Sequence, residues 1–506
     1  MNLLDAIVLV GLSPVLVPVI VGKIVVRKIA TLTSKSKYGH LPTVKGDFPA
    51  SNIRTPGYML KLVEEMRDKD GKIPSVFYFG SHIDGSHIVG VAGADGMRDI
   101  FTNDRQFPKF APLYDVFDCV LGQGLVSIQG EKWHSERKLL TPLFHFDRLT
   151  HGVPKITSVC QRKWDELISK AKEDGEGRAL DSVEITKVLS DITLSVIVKY
   201  AFGDEVPFSK VKGAFDGILG QFTAYMVMHL FLGKFARYLP LSPQREIARQ
   251  HNIVADLIKE KVKKSLAVKA SGKELKKEGE ECTLLDTIIE QATGEDDKDT
   301  IDRAVSEGLT FLLAGEDTTS NTLGFTIDFL TRPENVHYQQ KVREEALAVF
   351  GSAAGFNTAT RDKVNELHFC EMVISETLRL APPAPLVDRV THTDTVIAGH
   401  RIPAGTAVLP FFLLLHRNAR YWDEPDKFKP ERFGADTKIE NFSYSPFSAG
   451  RRNCIGQKLA MIEAKLILAS LLLNFKLEAV AGPPQYGFLG VMTPLNFKVK
   501  MTPIVE

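Results

Sequence analysis

Apolar residues recur every three or four positions along most of the chain from Trp133 onward, which predicts amphipathic helices. The clearest stretches of this kind are EKWHSERKLLTPLF, RALDSVEITKVLSDITLSVIVKYAF, residues 301–330 and KVNELHFCEMVISETLRL. Short runs typical of strands lie at 76–79, 87–91 and 395–408, with turns at Gly399 and Gly405. We therefore expect a mainly α protein with a smaller β-sheet region.

A second pattern, a nearly uncharged apolar run, occupies the amino terminus. Residues 6–26 carry one charge, at Lys23, and at about 1.5 Å per residue they would span about 31 Å, one hydrocarbon core. A cleaved signal peptide would need a basic leader, but only the acidic Asp5 precedes the run and basic residues follow it. We therefore predict an anchor at residues 1–28 that crosses the membrane once, with the rest of the chain in the cytoplasm.

The remainder of the chain is predicted to be a short linker and one folded body. Residues 29–56 include KYGHLPTVKGDFPASNIRTP, whose prolines and glycines indicate a stiff linker. The charged tract at 261–300 would suit a boundary between two domains, but candidate chemical residues lie on both sides of it. We therefore expect residues 57–506 to form a single domain.

Composition narrows the class of protein. Lys and Arg number 63 against 62 Asp and Glu, and this balance argues against a nucleic-acid-binding protein, which normally has a basic excess. The cysteines include no C-x-x-C pair, which argues against a disulfide framework or a zinc site. The cysteines expected to be buried, inert thiols are Cys119, Cys160, Cys282 and Cys370.

Cys454 differs because it lies in the segment FSAGRRNCIG, directly before the helical run QKLAMIEAKLILASLLL. Gly450 and Gly456 allow a tight loop in which backbone amides approach the sulfur. The positive end of the following helix and the nearby Arg452 are expected to lower the pKa of the thiol and to stabilise a thiolate. Phe447 can shield a bound cofactor from water.

The segment FLLAGEDTT lies in an otherwise apolar helix and carries an acid–alcohol pair, Asp317 and Thr318. Phe311, Ala314 and Thr318 share one helical face. The small residues Ala314 and Gly315 let that face approach a flat ring and let the helix open locally. Splitting dioxygen requires two protons, and we expect the acid–alcohol pair to deliver them through water.

The pattern F-x-x-G-x-R-x-C-x-G at residues 447–456 resembles the haem-binding loop of the cytochrome P450 superfamily at every fixed position. The resemblance covers essentially the whole chain and implies the P450 fold, a helix-rich triangular prism with a smaller β-sheet region. It also implies a haem b whose iron is held by the sulfur of Cys454. Such an axial thiolate pushes electron density onto the iron and favours O–O cleavage. Asp317 and Thr318 would be the catalytic pair of the oxygen-activating helix.

Further motifs resemble the structural and cofactor-binding residues of this family. Glu376 and Arg379 of E-T-L-R, with Arg432 of PERF, match a buried triad that supports the cysteine loop. Two haem propionates need cations or hydrogen-bond donors, and the W-x-x-x-R motif and two more arginines are candidates. The residues expected to contact the haem are Trp133, Arg137, Ala314, Arg389, Phe447, Gly450 and Arg452.

The resemblance implies a monooxygenase that uses O2 and a lipophilic substrate at the endoplasmic reticulum membrane. Electrons would come from a separate NADPH-dependent flavoprotein reductase, because the chain has neither a Gly-rich dinucleotide loop before a helix nor a flavin domain. WHSERKLLTPLFHF resembles the fatty-acid-hydroxylating branch, whose oxygen-activating helix often carries a haem-esterifying Glu where Ala314 stands. We therefore predict non-covalent haem. The alanine at this position also weakens the prediction that the substrate is a fatty acid.

Three alternatives remain at this point. An isomerase or dehydratase of the same fold would rearrange a peroxide without a reductase, but such branches usually lack the acid–alcohol pair. A non-catalytic haem protein that senses or stores a gas or lipid would bind haem and show no turnover. A membrane scaffold without a cofactor would show no Soret band.

Overall fold

Helices account for most of the structure, a computed structural model that describes residues 3–44, 55–81, 85–173, 179–203, 206–271, 283–292, 297–488 and 490–504. The α-helices are α1 (Leu3–Tyr38), α2 (Tyr58–Met66), α3 (Ala94–Thr102), α4 (Ala111–Leu121), α5 (Gly130–Leu140), α6 (Phe146–Glu173), α7 (Ile185–Phe202), α8 (Phe208–Leu232), α9 (Ser242–Ala270), α10 (Leu284–Gln291), α11 (Asp297–Thr331), α12 (Val336–Phe350), α13 (Arg361–Asn365), α14 (His368–Leu380), α15 (Phe412–His416) and α16 (Gln457–Asn474). Short 3-10 helices lie at Thr141–Phe144, Gly233–Tyr238, Gly355–Thr358, Pro430–Phe433 and Gly450–Arg452.

The strands form small sheets at the edges of this helical body. They are β1 (Val76–Ser81), β2 (His87–Val91), β3 (Leu180–Glu184), β4 (Arg389–Val390), β5 (Thr395–Ile397), β6 (His400–Ile402), β7 (Ala407–Pro410), β8 (Phe475–Ala479), β9 (Gln485–Phe488), β10 (Met492–Leu495) and β11 (Lys498–Pro503). One sheet has the order β1-β2-β7-β4, in which only the β2–β7 pair is parallel among the described strands. A second has the antiparallel order β3-β11-β8, and β5–β6 and β9–β10 form antiparallel pairs.

The long helix α11 runs through the centre of the molecule and packs against α7, α9, α14 and α16. Every residue from 319 to 330 on α11 is buried, polar side chains included. A helix that is buried all round must be surrounded by other elements, which is how α11 becomes the axis of the core. The segment FLLAGEDTT therefore lies in the interior, beside α16 and the cysteine loop that precedes it.

The strand predictions at 76–79, 87–91 and 395–408 are confirmed by β1, β2 and β5 to β7, and the helix at 301–330 is confirmed by α11. Gly399 and Gly405 occupy the predicted turns with φ of 82° and 76°. One helical prediction is wrong, because the first part of RALDSVEITKV is strand β3, in which Val183 pairs with Val499. The pairing partner lies more than three hundred positions away. No local periodicity in the sequence could have predicted this pairing.

The amino-terminal helix differs from its prediction in two ways. Helix α1 continues to Tyr38, well into the segment expected to be a linker, because no proline or glycine follows Gly22 until Gly39. The predicted linker also includes residues 45–54, which lie outside the described residues. The membrane crossing predicted at residues 6–26 must be corrected. Across the part of the chain that the structure describes, no helix combines the length and the apolar character that a bilayer crossing needs.

Candidate active site around Cys454

The cysteine loop, residues 447–456, contains the 3-10 helix Gly450–Arg452 and ends where α16 begins. The backbone N–H of Cys454 donates to the carbonyl oxygen of Phe447 at 2.9 Å, which closes the loop. Gly450 has a φ of 69°, and a Cβ at this position would overlap the carbonyl oxygen of Phe101 on α3. Only glycine meets both conditions, the left-handed backbone and the close approach of a neighbouring chain.

The sulfur of Cys454 lies deep in the protein, and its accessible surface faces an internal cavity. Burial raises the pKa of the Cys454 thiol, against the opposing effects of the Gly456 N–H, the Arg137 guanidinium and the Gln457 N–H. The sequence predicted a lowered pKa, and this direction is wrong because desolvation outweighs the backbone amides and the cation. A coordinating metal ion deprotonates a thiol outright, so ligation by this sulfur does not require a low pKa beforehand.

The cavity beside the sulfur has a volume of about 300 Å³ and lies between the cysteine loop and α11. Phe447 and Cys454 line it from the loop, and Ala314 and Thr318 line it from the helix. Most of the remaining lining is aliphatic or aromatic. The cysteine loop and the segment FLLAGEDTT, which the sequence patterns identified independently, therefore line the same cavity.

Thr318 of the acid–alcohol pair lines the cavity, whereas Asp317, next to it on α11, lies outside the lining. The hydroxyl of Thr318 donates to the carbonyl oxygen of Ala314 at 2.8 Å and remains accessible. The carboxyl of Asp317 hydrogen-bonds to Glu316, and burial raises the pKa of Asp317. Gly315 is small for a reason that the sequence did not reveal, because a Cβ there would lie 2.8 Å from Cγ1 of Ile197 on α7.

A group of cations lies at one edge of the cavity. The Arg452 guanidinium sits over the ring of Trp133, 4.3 Å from its centroid. Its Nε and Nη1 atoms are buried and have no hydrogen-bond partner among the described residues. Arg389 is also buried, and its Nη1 donates to the carbonyl oxygen of Asp388 at 2.6 Å.

Lys109 is a third buried cation in this group, which the sequence analysis did not identify. Its Nζ donates to the carbonyl oxygen of Val126, and its ammonium lies 4.4 Å from the centroid of the Tyr114 ring. Burial, followed by the charges of Arg452 and Arg389, lowers the pKa of Lys109 to about 7. The only signal in the sequence was a single cation in the apolar stretch FPKF.

These observations fit a haem. Buried guanidinium donors without a partner are costly, and the group of cations contains more positive charge than Asp388 can balance. Two propionates would supply the missing acceptors and negative charge. The mostly apolar lining of the cavity, which includes Ala314 and Cys454, would suit the flat ring and supplies a sulfur that could hold its iron.

Arg137 contacts the cysteine loop itself. Its Nη1 donates to the carbonyl oxygen of Asn453 at 2.8 Å, and its Nη2 donates to Oδ1 of the same residue at 2.9 Å. This paired contact fixes the residue that precedes Cys454. No pattern in the sequence distinguishes Asn453, and a contact of Arg137 with a propionate stays a prediction.

The predicted triad is assembled behind the cysteine loop. Nε and Nη2 of Arg379 donate to the two carboxylate oxygens of Glu376 at 2.7 and 2.8 Å, and both side chains are fully buried. Arg432 approaches Glu376 at 3.4 Å, and the N–H of Lys429 donates to it at 2.8 Å. Further donors of Arg379 bond to the carbonyl oxygens of His416, Pro425 and Lys427.

Gly450→Ala tests the geometry of the loop. We expect this variant to retain little haem, because the left-handed conformation costs alanine about 1–2 kcal/mol and the methyl group also displaces α3. Gly399→Ala is the matched control, because Gly399 has a φ of 82° but no atom near its added Cβ. The haem content per protein separates the two effects. Equal haem content in both variants would contradict a role for the contact with Phe101.

Comparison with known proteins agrees with this geometry. The family model described as Cytochrome P450 matches residues 50–501. Cytochrome P450 4d2 of Drosophila melanogaster is 31% identical over 469 residues, which cover 87% of this chain and 88% of that protein. Cytochrome P450 4X1 of Homo sapiens is 31% identical over 398 residues, which cover 74% and 73% respectively.

A solved structure shows the same fold. The crystal structure of a cytochrome P450 (CYP102L1) superposes with a TM-score of 0.73 and covers 92% of this chain and 99% of its own. The two sequences are 20% identical, so the likeness is one of architecture.

Proposed function

The chain belongs to the cytochrome P450 family and is a monooxygenase, and from that premise we propose that it hydroxylates or epoxidises a lipophilic substrate. NADPH would supply the electrons through a separate flavoprotein reductase. One observation carries the proposal. Cys454, Thr318 and Arg452 line the same mostly apolar cavity. The buried N–H donors of Arg452 have no acceptor among the described residues.

The family implies a haem iron cofactor, and we propose that it is haem b, bound without a covalent link. The sulfur of Cys454 would hold the haem iron, and Trp133, Arg137, Arg389 and Arg452 would bind the propionates, with Lys109 as a further cation. Ala314, Phe447 and Gly450 would contact the ring. A haem with a thiolate ligand supplies O–O cleavage when it is bound. Ala314 has no carboxyl group, so no ester to the haem can form at this position.

The chain's own contribution to the reaction is to move protons and exclude water. The balance is RH + O2 + NADPH + H⁺ giving ROH + H2O + NADP⁺. Asp317 would release a proton toward the cavity, and the accessible hydroxyl of Thr318 would take up that proton while it releases its own into the cavity. Phe447 and the other apolar lining residues keep bulk water away from the sulfur.

Thr318→Val keeps the shape of the side chain and removes its hydroxyl. We expect the product formed per NADPH to fall by about tenfold or more, with hydrogen peroxide released instead, since a positioned proton donor contributes about 10²–10⁴-fold. Thr331→Val is the control, because Thr331 also donates to the carbonyl one turn earlier on α11 but lies outside the cavity lining. A Thr318 variant with native coupling would contradict the proposed relay.

The substrate is proposed to be lipophilic because the cavity is mostly apolar. Pro383, Ala384 and Val387 line it from the segment between α14 and β4. Phe117 on α4 and Phe222 on α8 approach each other with ring centroids 5.7 Å apart, and we propose that these two rings also bound the substrate space. A fatty acid and a sterol both have this chemistry, so titration with a panel of lipids would identify the class.

We propose attachment to the endoplasmic reticulum membrane through α1. The apolar side chains of α1 that lie exposed in the structure are Val19, Val21, Ile24, Val25, Val26, Ile29 and Leu32. Lys23, Arg27 and Lys28 are interspersed with them and suit an anionic lipid surface. Sedimentation of the full chain with microsomal vesicles is the measurement that checks this.

The deciding experiment has two parts. The haem-loaded protein is first reduced under carbon monoxide, where a thiolate ligand gives a strongly red-shifted absorption band. It is then combined with reductase, NADPH and isotopically labelled O2, and we expect one labelled oxygen atom in the product. Peroxide rearrangement without NADPH would support an isomerase instead. A red-shifted band without turnover on any lipid of the panel would support a non-catalytic haem protein.

A further inference from the structure

Glu316 precedes the acid–alcohol pair on α11 and is almost completely buried, with 3% of its surface exposed. Its Oε2 atom has no hydrogen-bond partner in the described part of the chain. A buried carboxyl group is costly unless it is neutral or well paired. A leucine at position 316 would avoid the free-energy penalty of burying a carboxyl group. The presence of glutamate there therefore suggests that the carboxyl group has a function.

The neighbours of Glu316 are other proton carriers. Its side chain hydrogen-bonds to Asp317 and to Ser190 on α7. The hydroxyl of Thr193, also on α7, donates to the carbonyl oxygen of Glu316 at 3.3 Å, which holds the two helices together at this level. Burial and the charge of Asp317 raise the pKa of Glu316 to about 9, so its carboxyl group holds a proton at neutral pH.

A charged cluster at the protein surface begins at the residue after Ser190. Asp191 follows Ser190 on α7 and forms ion pairs with Lys212 at 2.8 Å and Lys163 at 3.6 Å. Lys212 also pairs with Asp216 at 3.4 Å. Lys163 and Asp191 line a surface groove of about 420 Å³ between α6, α7 and α8. The groove therefore reaches Asp191, the residue next to the Ser190 that hydrogen-bonds to Glu316.

We propose that Glu316 is the proton store of the oxygen-activating site and refills Asp317 from the groove through Ser190. This inference rests on the proposed monooxygenase function and adds a positioning residue to it. In each transfer the Glu316 O–H bond breaks and a new O–H bond forms on the Asp317 carboxylate. A proton from groove water then returns to Glu316 through the hydroxyl of Ser190. No electron moves in these steps, and each turnover draws two protons through the path.

Glu316→Gln is the first test, because glutamine keeps the size and hydrogen bonding of the side chain but cannot release a proton. We expect kcat to fall by about fivefold or more and the solvent deuterium isotope effect on kcat to rise, because the supply of protons becomes limiting. KM, the spectral shift on substrate binding and the carbon-monoxide spectrum should stay native. Glu316→Asp restores a carboxyl group and should recover part of kcat.

The matched control is Glu307→Gln, since Glu307 is also buried on α11 but lies near Glu136 of α5. This variant should keep the native kcat and isotope effect. Ser190→Ala is the second arm, which decides the matter if Glu316→Gln fails to bind haem. It removes only the hydroxyl that links Glu316 to the groove, and it should slow turnover with the same rise in isotope effect.

Infrared spectroscopy supplies a measurement that needs no turnover. The native protein should show the absorption of a protonated carboxyl group that Glu316→Gln lacks and Glu307→Gln retains. Absence of that band, or native kinetics in both Glu316→Gln and Ser190→Ala, would overturn the inference. If Asp317→Asn is slow while those two variants are native, only the inference about Glu316 fails. If the native protein oxidises nothing with NADPH and reductase, the proposed function fails, and the infrared result still decides whether Glu316 stores a proton.

Discussion

We expect Cys454→Ser to lose NADPH-dependent oxidation entirely and to lose the red-shifted absorption band of the reduced carbon-monoxide complex. A serine oxygen lacks the soft, electron-rich character of a thiolate, so it cannot push electron density onto the iron. The loop itself should survive the exchange, because its closing hydrogen bond is made by the backbone N–H of residue 454. The loss should therefore appear in the chemistry, with little change in the free energy of unfolding.

Cys119→Ser is the control for this prediction. Cys119 is a half-buried free thiol on α4, outside the lining of the cavity. It should keep both the red-shifted band and the native rate of oxidation. Oxidation at the native rate by the Cys454 variant would show that another group holds the iron, and the assignment of the cofactor site would have to be abandoned.

Many residues of the site could be predicted because they lie close together in contiguous segments of the sequence. The cysteine loop places Phe447, Gly450 and Cys454 within eight positions, and the loop closes on itself through a local hydrogen bond. The requirement for glycine at position 450 comes from the turn and from α3 together. The sequence predicted the turn, and only the structure shows Phe101 beside it.

The parts that were missed depend on distant partners. Lys109 and Glu316 are single residues whose importance comes from cations or hydroxyl groups on other elements. Strand β3 forms because β11 lies beside it, although its own residues also fit the start of a helix. The pKa of Cys454 was predicted in the wrong direction for a related reason. The helix end and Arg452 are visible in the sequence, whereas the amount of protein around the sulfur is not.

The buried pair of Glu376 and Arg379 has a different kind of importance, which is structural. The carboxylate of Glu376 accepts two hydrogen bonds from Arg379 and one from the backbone of Lys429. Arg379 in turn ties α14 to the carbonyl oxygens of His416, Pro425 and Lys427. This network spans α14, the end of α15 and the segment that leads to the cysteine loop. The network therefore holds in place the elements that support the cysteine loop.

Glu376→Gln should reduce the free energy of unfolding by about 3–5 kcal/mol, because it leaves the Arg379 charge buried without its counterion. Glu260→Gln is the same substitution on α9, where Glu260 and Lys264 pair at 2.8 Å and both side chains are mostly exposed. Such an exposed pair contributes little to the free energy of unfolding. Urea unfolding of the two variants measures the difference, and haem content measures its consequence. The fraction of Glu376→Gln that retains haem should still show the red-shifted carbon-monoxide band, since the pair supports the loop without touching the sulfur. Equal unfolding midpoints for the two variants would show that the network around Arg379 can dispense with its carboxylate.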